Sequence, residues 1–509
     1  MRRLFQATSV CALALGLGSL AACGGHEAGK NGQQASGTQP GSNVDPDLGN
    51  DPNAGSPEQP AADAGSQGGG DVGVPPGDAG GSRDAGGPPP ADSGGGGGPG
   101  KCAAAPRGWR PIASELTVGS GKAYFLDGWA GGSGEITTNN ASTPAWTGKE
   151  MFVLGVTGDP TTLPLTMAEA AAYDPSSNTW RRLPDPPHFR EDSFWTGDAW
   201  LVFGQAVQSP GAFDASTLDG YLYDPKTNLW TPIPVAPLSP RSRPAAVWST
   251  TTHELIVWGG DHGFGGGDPA DGAAYDPVKK TWRMIAASPL SGRSNMGAAW
   301  DGTKMIIIGG GQYQCSTPSC DTFMMKAKAD GAAYDPKTDS WSVLTTRGLP
   351  PSPRVSPVAV GEPGHAYFFG GYSKLDDPFL PASYVDGAWY DETPDGFWEH
   401  IMADPDLAWS PRAGGHDRSA YAFAAGDPSG DGRFWLYGGT GQDDADKPTT
   451  FSDGAMWDDH AGSWFPLEAA GNPGPRVNAL GMWTGCDFLV FGGYDDKSNR
   501  MYDGAMYRF

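Results

Sequence analysis

A short phrase recurs seven times along residues 101–509, and it constrains the fold more than any other property of the sequence. In the form Asp-Gly-x-x-Tyr-Asp and its variants, it places an aromatic at Tyr173, Tyr223, Tyr275, Tyr334, Tyr390, Trp457 and Tyr507. A tryptophan follows seven or eight residues later in all but the last, at Trp180, Trp230, Trp282, Trp341, Trp398 and Trp464. Upstream of each aromatic runs an apolar stretch, usually closed by a glycine pair: 151–156, 200–204, 255–260, 305–310, 366–371, 434–439 and 488–493. One more short strand precedes each stretch, often ending Trp-x-Gly, as at Trp195, Trp300 and Trp483. Every unit thus holds four short β-type runs bounded by Gly, Pro, Asn and Asp turns, and no stretch keeps a helical period. A sheet of four short strands cannot bury both its faces alone. Seven of them stacked in a closed ring can, and closure leaves few exposed edges.

Four apolar residues, a glycine pair, then a Tyr and a Trp at fixed separation resemble the Kelch repeat. The resemblance covers all of 101–509 and implies an all-β, seven-bladed propeller. Strand A would be innermost, strand B would end in the glycine pair, strand C would hold the Tyr and strand D the Trp. Blades 1 and 2 depart from the pattern, with Leu154-Gly155-Val156 and Gly204-Gln205 where the pair belongs. The seventh unit stops at Tyr507-Arg508-Phe509 and lacks a fourth strand. Gly108-Trp109-Arg110-Pro111-Ile112 reads like the fourth strands of other units, such as Trp230-Thr231-Pro232-Ile233. An N-terminal strand is therefore expected to complete the last blade and close the ring.

The N-terminus is a targeting segment. Arg2 and Arg3 precede a short apolar run, 7–20, which is too short for a comfortable membrane span. The run ends in Leu20-Ala21-Ala22-Cys23, which resembles the lipobox of bacterial lipoproteins. That resemblance implies cleavage after residue 22, a lipid on Cys23, and a place in the cell envelope. Gly24 after the cysteine, by the same analogy, favours the outer membrane or cell surface. Residues 24–100 contain no Phe, Trp or Tyr and are rich in Gly, Pro, Ser and Asp. Such a segment buries too little apolar surface to offset its ordering entropy, so it is expected to be a disordered tether with a span of about 50 Å.

Export permits disulfides. Cys315 and Cys320 share one connection in blade 4 and are expected to pair. Cys102 and Cys486 are expected to join the two ends of the ring, since both fall on one side of the last blade. The formal net charge of −24 excludes nucleic acid as a partner on electrostatic grounds. The chain is expected to be a monomer without cofactor or metal.

Alternating strand direction puts the B–C and D–A connections on one disc face and the A–B and C–D turns on the other. The first face carries the long connections, 206–218, 261–270, 311–329, 372–385 and 440–452, and is where binding is expected. It also receives an arginine at the start of each strand A from the second blade on: Arg190, Arg241, Arg293, Arg354, Arg412 and Arg476. Two readings stand. The arginines of some Kelch propellers grip acidic peptides, and bidentate pairing to carboxylate gives the physical reason. Alternatively each pairs with the recurring Asp at the start of strand C, namely Asp219, Asp271, Asp330, Asp386, Asp453 or Asp503. His188, His262 and His416 also belong to this face, but show no metal-ligand spacing. The resulting expectation is a non-catalytic binding module for a protein or glycan. The rival from another class is a carbohydrate-active enzyme resembling galactose oxidase or the sugar mutarotases built on this fold. Paired acids at Asp443-Asp444 and Asp495-Asp496 are weak candidates for Ca²⁺.

Overall fold

The computed structural model describes residues 106–113, 144–157, 167–190, 192–205, 218–262, 267–315, 323–372, 386–392, 396–401, 423–426, 430, 432–442, 448–497, 499, 501 and 503–509. All lie in one compact unit, Arg83–Phe509. The leader, Cys23, the tether, Cys102, Cys320, Arg412 and His416 lie outside the described residues.

Every regular element among the described residues is a strand. Seven antiparallel four-stranded paths account for nearly all of them, each in the order A-B-C-D. Blade 3 is representative: strand A is Ala245–Ser249, B is Glu254–Trp258, C is Gly272–Asp276 and D is Thr281–Met284. In the last blade Leu480–Trp483, Asp487–Phe491 and Gly504–Arg508 form A, B and C, and Gly108–Pro111 supplies D. Trp109 lies opposite Tyr507 in that pairing, and the Ile112 amide donates to Gly504 O at 2.9 Å. The N-terminal strand closes the ring as expected.

The core explains why strand B is apolar on both faces beyond its first residue. Side chains alternate along a strand, so each face of strand B meets a different neighbour. Phe152 and Leu154 pack with Trp200, Val202 and Tyr223 of blade 2, whereas Met151 and Val153 pack with Leu489, Phe491 and Met506 of blade 7. Seven such clusters are shared between successive blades, and the one between blades 7 and 1 completes the circle. The apolar contact of each sheet is therefore with its neighbours, which is why one unit alone would not fold.

The recurring Tyr and Trp have separate tasks. In blades 1, 2 and 4 the strand C tyrosine donates to a side-chain oxygen five residues on, at Asn178, Asn228 or Asp339 (2.6–2.7 Å). Those residues take φ of 53°, 60° and 49°, the left-handed conformation that Asn and Asp tolerate. The Asp before each turn accepts amides inside it, for example Lys226 N to Asp224 Oδ1 at 2.8 Å. The strand D tryptophans instead tie blades together. Trp109, Trp180, Trp230, Trp282, Trp341 and Trp398 each donate Nε1–H to a carbonyl just past strand D of the preceding blade, at 2.7–2.9 Å.

The glycine pair ends the B–C ladder. Gly259, Gly260, Gly370, Gly371, Gly438, Gly439, Gly492 and Gly493 all have φ between 68° and 106°, which turns strand B away from strand C. Where the pair is missing the ladder runs on: strands B and C of blade 1 pair from Met151↔Tyr173 to Thr157↔Met167. One connection expected as loop is partly strand. In blade 4, strand B continues as Met305–Cys315 and turns back through Phe323–Ala327, forming a ribbon above the disc. Met325 from this ribbon is buried with Val355 and Tyr372 of blade 5, which anchors it.

Candidate functional site

The inner edge of the B–C/D–A face is built from the arginines, and five of the six lie among the described residues. Their side chains are buried: Arg190 is 1% exposed and Arg241, Arg293, Arg354 and Arg476 are 0%. Each pairs with the strand C aspartate of its own blade. The contacts are Arg190–Asp219, Arg241–Asp271 at 2.7 Å, Arg293–Asp330 at 2.7 Å, Arg354–Asp386 at 3.1 Å and Arg476–Asp503 at 3.2 Å. A second set of bonds fixes the guanidinium to the backbone. Arg241, Arg293, Arg354 and Arg476 donate from Nη1 to the first glycine of the pair, at Gly259, Gly309, Gly370 and Gly492.

The arginine backbone reaches the other way. Gly260 N–H donates to Arg293 O, Gly310 N–H to Arg354 O and Gly439 N–H to Arg476 O, each at 2.9 Å. The second glycine of one blade is thus fastened to the arginine of the next. A Cβ on Gly309 would come within 2.5 Å of Arg354 O, and one on Gly438 within 2.3 Å of Arg476 O. Arginine, glycine pair and aspartate together form one joint that shapes the blade corner and links it to its neighbour. Of the two readings open for the arginines, this geometry is that of the scaffold.

What the joint leaves outward is the carboxylate. The aspartate side chains are 27–53% exposed. Hydrogen bonding from Arg293 holds the Asp330 carboxyl below its ordinary range. The accessible part of each joint is therefore the aspartate side chain and not the arginine.

Two residues beyond four of the five described arginines the chain takes a conformation that the sequence did not announce. Arg243, Asn295, Ser356 and Asn478 have φ of 51–54° and lie within two residues of the start of strand A. Strands A of successive blades lie beside one another, so these residues stand at the inner rim of the disc. Non-glycine residues held there carry strain, and such positions cluster at functional sites. Ser356 N–H donates to Asn295 O (2.7 Å), and Arg243 Nε donates to the buried Asp261 (3.0 Å). Ser294 Oγ and Asn295 Oδ1 are buried without a hydrogen-bond partner.

The histidines are dispersed. His188 is exposed, with its ring 6.4 Å from that of Tyr221, and His262 Nε2 lies 2.8 Å from Ser239 Oγ. Neither belongs to a group of metal-ligating side chains among the described residues. Asp495 turns its carboxylate onto the Lys497 and Asn499 amides (2.9 and 2.7 Å), an Asx turn that satisfies it locally. The tips of the long connections, at 206–217, 263–266, 316–322, 373–385 and 443–447, lie outside the described residues.

Residues 191–414, which span blades 2 to 5, match the family model described as the KLHDC2/KLHL20/DRC7 Kelch-repeats domain. Among solved structures, one described as "Structure of YjhT" is 16% identical. The likeness covers 61% of this chain and 91% of that one, with a TM-score of 0.41. A comparison with curated proteins finds no match. The chain is a seven-bladed β-propeller, and four of its blades, within residues 191–414, match a Kelch-repeat family model.

Proposed function

We propose that this propeller is a non-catalytic binding module, held at the bacterial cell envelope by a lipid on Cys23, that takes a protein or glycan on its B–C/D–A face. Kelch propellers commonly bind proteins. The observation that carries the reading is the contrast between the two faces. Short turns close the A–B and C–D side, as at Asp301–Lys304, while connections of unequal length leave the other. Variable loops on a rigid frame are how binding surfaces are built. The arginines support the reading indirectly, by stiffening the base on which those loops stand. Because the rim exposes carboxylates, the ligand expected there is basic or rich in hydroxyl donors and not an acidic peptide.

Photo-reactive residues placed on intact cells at His188 and His262, on the loop face, and at His253, in an A–B turn, test this directly. Glycan arrays probed with the purified chain supply the sugar arm. Crosslinks or glycan-competed labelling from His188 or His262, with none from His253, are the expected result. Labelling from His253 alone would overturn the assignment of the face. A Cys23→Ser chain should leave the membrane fraction, and its retention there would contradict the anchor.

A further inference from the structure

The opposite face holds a cluster that the binding reading does not use. Glu362 ends strand A of blade 5 (Val358–Glu362), His365 begins strand B (His365–Phe369), and Asp459 lies in the C–D turn of blade 6. One ligand-type atom from each lies within 4.8 Å of the others. The Glu362 side chain is 0% exposed, Asp459 9% and His365 25%.

The polar accounting of this seam does not close. Tyr367 Oη lies 2.5 Å from Glu362 Oε1 and 3.1 Å from Asp459 Oδ2, yet a phenol has one proton and can donate to only one of them. Glu362 Oε2 and His365 Nδ1 are buried without a hydrogen-bond partner. His365 Nδ1 is 3.6 Å from Glu362 Oε1, too far for a hydrogen bond. Asp459 Oδ1 makes no well-aligned hydrogen bond either, although the exposed His460 imidazole stands 2.7 Å from it. Among the described residues no Lys or Arg pairs with Glu362 or Asp459, whereas nearby Arg433 pairs with Asp458. Two carboxylates buried together without a cation are costly. Gly432, at φ 69°, leaves the room that the Asp459 carboxylate occupies, since a Cβ there would lie 1.8 Å from its Oδ1.

We propose that Glu362, His365 and Asp459 bind one divalent cation of the zinc type, which bridges blades 5 and 6. One imidazole nitrogen with two carboxylate oxygens suits Zn²⁺ better than Ca²⁺ or Mg²⁺, which favour all-oxygen sets. Tetrahedral bonds of about 2.0–2.2 Å put ligand atoms about 3.4 Å apart, so the cluster, whose atoms lie within 4.8 Å of one another, needs to contract by up to about 1.4 Å. Three protein ligands leave a fourth position for water, and the exposed edge of His365 gives the ion a way in. His460, against the same Asp459 oxygen, orients that carboxylate. Because the ligands come from two blades, the ion fastens the seam between them.

The experiment is Zn²⁺ titration of the full, chelator-treated chain by calorimetry, with bound metal counted after dialysis and Tm followed alongside. One equivalent per chain is expected, with Tm rising as Zn²⁺ is added. The same should hold in a Cys315→Ser/Cys320→Ser chain, and Co²⁺ should give a spectrum without a thiolate charge-transfer band. His365→Ala and Asp459→Asn should each weaken binding at least tenfold, while near-ultraviolet dichroism confirms that both variants are folded. Glu362→Gln, which keeps shape and removes charge, should weaken it as well. No uptake by the parent chain at millimolar Zn²⁺, or uptake unchanged in folded His365→Ala and Asp459→Asn, would overturn the proposal and leave a proton shared between the carboxyls.

Discussion

Truncating Arg293 to alanine tests whether the arginine joints are scaffold, and the structure supplies the magnitude. The guanidinium is fully buried and donates to Ser291 O (3.0 Å), Gly309 O (3.1 Å) and both Asp330 carboxylate oxygens (2.7 and 2.9 Å). Breaking a buried ion pair by removing one partner costs about 3–5 kcal/mol. Here the stranded charge is Asp330, whose side chain is 53% exposed and so partly solvated, which moves the cost toward the low end. What remains is the buried Gly309 carbonyl without this donor, at about 1–3 kcal/mol before water enters the hole. About 3 kcal/mol is therefore expected, a large part of a typical stability of about 5–15 kcal/mol. Asp330→Asn should cost only about 1 kcal/mol, because it keeps an acceptor and gives up a half-exposed charge. Arg293→Lys should recover part of the loss, since an ammonium reaches one or two of these acceptors but lacks the planar fork. The assay is denaturant unfolding, with the midpoint shifting at constant slope. An Arg293→Ala loss below about 1 kcal/mol, or an Asp330→Asn loss equal to it, would refute the reasoning. So would an Arg293→Ala/Arg354→Ala chain that keeps its stability and loses only ligand.

Three further outcomes follow from the same geometry. Because Arg293 lowers the folded-state pKa of Asp330, that carboxylate adds stability above the ordinary Asp range, and the increment disappears as pH falls through the lowered value. The gap between parent and Asp330→Asn unfolding free energies should therefore shrink on acidification, and a gap that widened would contradict the pairing. Gly310→Ala should cost about 3 kcal/mol, from left-handed strain plus a Cβ 2.7 Å from Ser294 O. Gly364→Ala, with similar φ and nothing within 4 Å, should cost about 1 kcal/mol in the same denaturation assay. Equal losses would show that the blade corner yields. Cys486 is disulfide-bonded, and Gly108 lies opposite Arg508, whose guanidinium holds Asp487 beside it. Two strand spacings, about 10 Å, separate those positions, within reach of the residues after Cys102. Non-reducing peptide mapping should recover Cys102 with Cys486 and Cys315 with Cys320. Cys102 linked to Cys315 or Cys320 would refute the closure.

The fold was legible because a propeller writes its rules seven times. The Tyr–Trp spacing, the apolar strand B and the glycine pair each reflect a contact that most blades make, so repetition exposed them. The Arg–Asp pairing was readable as one of two alternatives, and the five described arginines make it. What escaped was local to one blade or one seam. The left-handed φ of Asn295 and Ser356 leaves no mark that separates it from an ordinary polar residue before a strand. The blade 4 ribbon looked like loop because Cys, Gln and Gly interrupt its alternation. Tyr367 and Asp459 are 92 residues apart and belong to different blades, so no periodicity brings them together. Sites that break the repeat carry the individuality of such a chain, and the repeat itself conceals them.

The account rests on a ring closed by its own N-terminal strand, and amide hydrogen exchange of that strand tests it most directly. If Gly108–Pro111 is strand D of blade 7, the Ile112 amide, bonded to Gly504 O, should exchange as slowly as the amides of Gly504–Arg508. Deleting residues 101–112 should then speed exchange across Gly504–Arg508. Exchange of Ile112 at the rate of an unstructured chain, with 504–508 protected whether or not the segment is present, would contradict the closure.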